Sequence, residues 1–175
     1  MAPKTVKAQQ KNALVYVIAG DDPSLVNAKC TEIIDQLVTP EERDAGLLVV
    51  DADKAEIAEI LDELRTLPFF TKRKIVALRN ADKFISAKGD EDEENEQPKQ
   101  DSHNAPAGAS NREILERYFE NPCPTGILVM TVSKWPSNTR LAKKLPGIGT
   151  FVEVKSPKGQ DLTNRLIDYA REAHS

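Results

Sequence analysis

Asp21 and Asp22 after a first apolar run, with Lys155 and Pro157 after the last one, have the residue types and order of a phosphoryl-receiver site. That chemistry transfers a phosphoryl group to an aspartate, which must stand at the end of the third apolar run. Arg79 and Asn80 occupy that place instead, and Asp22 serves equally well as a helix cap. A second phosphate chemistry is tested by the same turn, Gly20-Asp21-Asp22-Pro23-Ser24. Nucleoside triphosphate sites use a glycine-rich turn whose amides and lysine hold the phosphates. Here there is one glycine and no lysine, and two carboxylates sit where a phosphate would lie. Pro23 also removes an amide donor. The third run ends Leu78-Arg79-Asn80, without an acidic pair to position magnesium, which argues against intrinsic ATP hydrolysis.

Metal and redox chemistry have little to work with. Cys30 and Cys123 cannot build a disulfide framework, and they lack metal-ligand spacing with His103 or His174. Cys30 falls on the apolar stripe of a helix, and Cys123 lies in a proline-flanked turn. No catalytic residue, cofactor or metal site is expected.

Contact with a partner is better supported. Leu67-Pro68-Phe69-Phe70-Thr71-Lys72-Arg73-Lys74 puts two of the chain's 5 phenylalanines on a connection between a helical pattern and a strand. Loops lie at the surface, and aromatic side chains there are common anchors of interfaces. Phe is also among the residues most often buried, so burial of both rings beneath the sheet is the competing expectation. The basic run that follows reads either as a solvated strand entrance or as a surface that steers toward an acidic partner.

The elements that must position these residues are legible as alternating patterns. Ala13 to Ala19, Gly46 to Val50, Ile75 to Leu78, Ile127 to Val132 and Thr150 to Val154 are apolar runs suited to strands. Asp22-Pro23 opens a helix carrying Val26, Cys30, Ile33, Ile34 and Leu37. Asp53 and Glu56 have capping-box spacing ahead of Ile57, Ile60, Leu61 and Leu64, and Pro68 stops that helix. Ser110 and Glu113 repeat the box ahead of Ile114, Leu115, Tyr118 and Phe119. Asn138 to Leu145 forms a short helix that Pro146-Gly147 ends. Five strands alternating with helices predict an α/β fold, a doubly wound, mainly parallel five-stranded sheet.

The 175 residues, 39% hydrophobic and 30% charged, fit one domain of 13–155, a disordered basic tail at 1–12, and at 156–175 the first helix of a severed second domain. Residues 86–110 read as a disordered insertion of net charge −5, which leaves the rest of the chain near +1. A balance so close to neutral gives no expectation of autonomous nucleic-acid binding. With no long apolar run and no apolar leader, the expected location is the cytoplasm, with no membrane contact.

Tyr16 through Val26 resembles the opening of the delta subunit of bacterial DNA polymerase III, a clamp-loader subunit. Thr66 to Phe70 running through Arg73, Ile75, Val76 and Asn80 to Phe84 is similar to that family's central segment. So are Leu115 to Pro122 with Ile127 to Val129, and Thr139 to Leu145 with Phe151 to Lys155 and Lys158 to Leu162. The likeness spans residues 13–167 outside the acidic insertion; Arg165 departs from it, standing where the family commonly has tryptophan. The resemblance implies an AAA+-like domain that has lost its phosphate loop. It further implies a non-catalytic subunit of a DNA-directed DNA polymerase holoenzyme, which binds the ring-shaped sliding clamp (beta) and springs it open. The sister subunits gamma/tau and delta prime are its implied neighbours and hydrolyse the ATP, and DNA is met only through the complex. Carried over by position, the clamp-contacting hydrophobic pair is Phe69 and Phe70, with Leu67 and Pro68 shaping the helix end that presents them.

Overall fold

Strands buried on both faces read as continuous apolar runs, and two of them form the centre of this molecule. They are β1 (Val15–Gly20) and β4 (Gly126–Val132), the latter buried along its whole length. The computed structural model describes residues 13–68, 70–86 and 109–156. The expected tail at 1–12 lies outside them, as do nearly all of the expected insertion and the expected terminal helix. Around the two central strands, β2 (Leu47–Asp51), β3 (Lys74–Arg79) and β5 (Gly149–Val154) complete a five-stranded sheet in the order β2-β3-β4-β1-β5. All four pairings are parallel, with Val17 set between Met130 of β4 and Phe151 of β5.

Among the described residues six α-helices connect the strands: α1 (Pro23–Leu37), α2 (Arg43–Gly46), α3 (Ile57–Arg65), α4 (Asp82–Ile85), α5 (Asn111–Glu120) and α6 (Arg140–Ile148). The chain steps in one direction from β2 to β3 to β4 and then across β1 to β5, so right-handed crossovers place those helices on one face. Only β1 to β2 runs the other way, which sends α1 to the opposite face. The two cores follow this division. Leu61, Leu64, Phe84, Leu115, Phe119 and Leu141 pack on Val17, Leu78 and Met130, while Val26, Cys30, Ile33 and Ile34 pack on Tyr16, Ile18 and Val129.

Two local expectations are corrected. The helix after β2 is not capped by Asp53: Asp51 accepts from the Asp53 amide and organises a short 3-10 turn over Ala52–Lys54, and α3 begins after Glu56 without a side-chain cap. Pro146 lies inside α6 and does not end it; the last turn closes through the Gly149 N–H, which donates to the Leu145 carbonyl. The expected capping box of Ser110 and Glu113 forms at the start of α5, and Ser86 caps the end of α4.

Candidate partner-docking surface

In parallel α/β sheets ligands bind beyond the carboxyl ends of the strands where the winding direction reverses, which here is between β1 and β4. A cavity of about 90 Å³ lies there, bordered by Gly20, Asp21, Asn27, Asn80, Asp82 and Ser133. Its polar groups serve the fold. Asp22 Oδ1 accepts from the amides of Ser24 at 2.8 Å and Leu25 at 3.3 Å, so the donors that a phosphate would use at the start of α1 are taken by the chain's own carboxylate. Asp21 accepts from the Ser156 hydroxyl at 2.9 Å, which pins the exit of β5. Asp82 accepts from the Ser133 amide at 2.9 Å and from its hydroxyl at 2.5 Å, tying α4 to the end of β4.

Nor does the receiver constellation assemble. Lys155 pairs with Glu153 at 3.2 Å, and β3 ends at Arg79 followed by Asn80. Asn80 adopts a φ of 55°, which asparagine tolerates better than most residues. Its amide Nδ2 donates to Asp51 Oδ2 at 3.1 Å, a link between β2 and β3 and no nucleophile. Among the described residues no group of three or more His, Cys, Asp or Glu side chains is placed to hold a metal ion.

The opposite end of the sheet holds the phenylalanine connection. α3 ends at Arg65, Thr66 caps it in an extended conformation, and the chain then runs from Leu67 to Arg73 before entering β3. Pro68 biases Leu67 away from helical geometry, which forces the exit. Leu67 is 68% exposed and Phe70 is 89% exposed; Pro68 is half-buried, and Phe69 lies outside the described residues. For Phe70, then, the ring faces solvent and is no part of the core.

The connection is braced at both ends. On the α3 side, the Thr66 hydroxyl donates to the Asp62 carbonyl at 3.2 Å, and its amide to the carbonyls of Asp62 and Glu63. On the strand side, Lys74 pairs with Glu63 of α3, its amide donates to the Thr125 carbonyl at 2.9 Å, and Thr71 donates to the Arg73 carbonyl at 3.0 Å. Two glycines let these parts approach. A Cβ on Gly46 would lie 3.0 Å from Thr71 Cγ2, and one on Gly126 would lie 2.6 Å from the Leu64 carbonyl oxygen. The apolar tip thus stands on a fixed base, the arrangement that keeps the ordering cost of an interface low.

Two features close to these surfaces escaped the sequence. Beneath the Cys123 turn, which adjoins this end of the sheet, the Tyr118 hydroxyl is buried and reaches no hydrogen-bond partner although the Cys123 backbone is close. Burial pushes its pKa from 10.0 up to about 12. On the far edge strand, Trp135 stacks on half-exposed Phe151 with ring centroids 6.4 Å apart. A lone tryptophan just beyond a strand was the available signal for that pair.

A parallel sheet of this order, with the amides of its first turn taken by Asp22 and an exposed apolar connection at the other end, defines a doubly wound parallel α/β domain. The model of the family "DNA polymerase III, delta subunit" matches residues 16–155, and the chain belongs to that family. Among solved structures, the chain is similar to the Bacillus subtilis DNA clamp loader delta protein (YqeN), with TM-score 0.61 and 21% identity over 91% of this chain and 43% of that one. It is also similar to a DNA polymerase III gamma subunit-related protein from Thermotoga maritima, with TM-score 0.51 and 16% identity over 84% of this chain and 43% of that one. At these identities the likeness is one of fold, and the chain spans less than half the length of either structure. No curated protein sequence matches it.

Proposed function

We propose that this chain is the clamp-binding part of a clamp loader, docking on a sliding clamp through Leu67, Pro68, Phe69 and Phe70 and favouring the opened ring. The observation that carries it is the exposure of Phe70, at 89%, on a connection fixed to α3, β3 and β4. Family membership supplies the kind of partner. Burying one such ring in a pocket contributes roughly 1.5 to 3 kcal/mol, so two rings and Leu67 supply a large share of the roughly 8 kcal/mol of a micromolar contact. Ring opening then needs only that the open form bind more tightly than the closed one, because a binder shifts a conformational equilibrium by its differential affinity.

That step consumes no ATP, in keeping with the Asp22 carboxylate that occupies the amides of the phosphate turn. Hydrolysis is assigned to sister subunits of the gamma/tau and delta prime kind, with DNA reached through the assembly in the cytoplasm. The test is capture of a purified sliding clamp from the same source by the immobilised chain, with Leu67→Ala/Phe70→Ala as the comparison. Retention by the parent and loss by the variant is expected; equal retention refutes the assigned surface. Saturable binding of a fluorescent ATP analogue by the chain alone would refute the fuel-free half.

A further inference from the structure

The basic run beside the apolar tip divides into one cation held in an ion pair and two exposed cations with no ion pair among the described residues. Lys74 is half-buried and paired with Glu63. Lys72 and Arg73 are exposed, and neither forms an ion pair with a described residue. On the neighbouring helices two cations have internal partners: Arg65 has Asp62 at 3.1 Å, and Arg43 has Asp35. Glu41 and Glu42, on the approach to α2, and Asp44 within it make no ion pair with Lys72 or Arg73, and Glu42 accepts from the Thr39 hydroxyl. Two uncompensated cations therefore stand within three residues of a ring that is 89% exposed.

We propose that the surface receiving Leu67 and Phe70 is an apolar pocket with a carboxylate-bearing rim, and that Lys72 and Arg73 meet that rim. The proposal rests on the docking role assigned above and names the chemistry of the partner's surface. Rim charges that remain wet contribute little to holding a complex, because water and salt screen them and both side chains are long. Their effect falls on encounter: complementary fields raise the association rate, while the buried apolar anchors set how long the complex lasts.

The experiment is stopped-flow association of a fluorescently labelled sliding clamp with the parent chain, Lys72→Gln/Arg73→Gln and Phe70→Ala, from low to physiological ionic strength. The double neutralisation is expected to slow association about fivefold to tenfold at low salt, to flatten its salt dependence, and to leave the dissociation rate within about twofold. Phe70→Ala is expected to speed dissociation and keep the parent's salt slope. An unchanged salt slope in the double variant, with Phe70→Ala still weakening the complex, overturns the acidic rim and leaves the docking role standing. The reverse pattern, slowed encounter with Phe70→Ala silent, overturns the apolar docking role and keeps the rim. Silence of both variants overturns both. All three side chains are exposed, so thermal melts matching the parent verify that each variant is folded.

Discussion

Truncating Phe70 to alanine separates docking from folding. The ring is 89% exposed, so its removal deprives the folded chain of almost no packing, and a melting temperature within about 2 °C of the parent is expected. In a complex the same ring would leave water. At roughly 25 cal/mol per Å² this stabilises the bound state by about 1.5 to 3 kcal/mol, equivalent to a tenfold to hundredfold loss of affinity for the variant. The brace strengthens the expectation, since Thr66, Thr71 and Lys74 hold the connection before binding and little ordering cost offsets the gain. Isothermal titration of a sliding clamp into each protein measures the difference. Phe84, 1% exposed in the core, supplies the contrast: Phe84→Ala is expected to lower folding stability by about 3 to 5 kcal/mol. A Phe70→Ala protein that binds within twofold of the parent, or that melts as early as Phe84→Ala, would refute the reasoning.

Two further outcomes follow from the interior. Tyr118 holds its proton more tightly when folded, at about 12, than the ordinary phenol value of 10.0. The folded state therefore keeps a proton that the unfolded state releases, and stability falls as pH rises from about 10 to 12; denaturant melts should show the parent losing on the order of 2 to 3 kcal/mol more over that interval than Tyr118→Phe. At neutral pH that substitution is expected to be neutral or stabilising, because it removes an unpaired buried hydroxyl. Gly149→Ala would set a Cβ 1.9 Å from the Val15 carbonyl oxygen and force β5 away from β1, and chemical denaturation should register a loss of about 2 kcal/mol or more.

The strands were readable because burial on both faces leaves unbroken apolar runs, and each of the five extends one residue beyond its run, β3 at both ends. The start of α1 was readable to the residue, since Asp22 and Pro23 each have a local reason to stand there. What failed was whatever a neighbour decides. Asp53 and Glu56 have the spacing of a capping box, yet Asp51 claims the Asp53 amide for a tighter turn. α2 is four residues long, too short to show a period. Pro146 is carried within α6 because the following turn finds its own hydrogen bond. Strand order is a matter of handed crossovers, which no single segment displays.

At the candidate site the sequence supplied the residues but not their exposure. Phe is more often buried than not, and the same letters suit a plug beneath the sheet. The end of α3 at Arg65 and the close approach of Thr71 to Gly46 set the path of the connection that leaves Phe70 exposed. The first has a local signal in Pro68; the second is a tertiary contact that no pattern of apolar residues displays. The capping of α1 by Asp22, by contrast, was plain in the Asp22-Pro23 pair, and the hydrogen bonds to the Ser24 and Leu25 amides give its physical form.

The most direct test of the docking surface is amide hydrogen exchange of the chain alone and with saturating sliding clamp, in the absence of nucleotide. Slowed exchange confined to the connection from Thr66 to Arg73 and the start of β3 is the predicted result. Slowing at the Trp135 and Phe151 edge, with Thr66 to Arg73 exchanging as in the free chain, would contradict it.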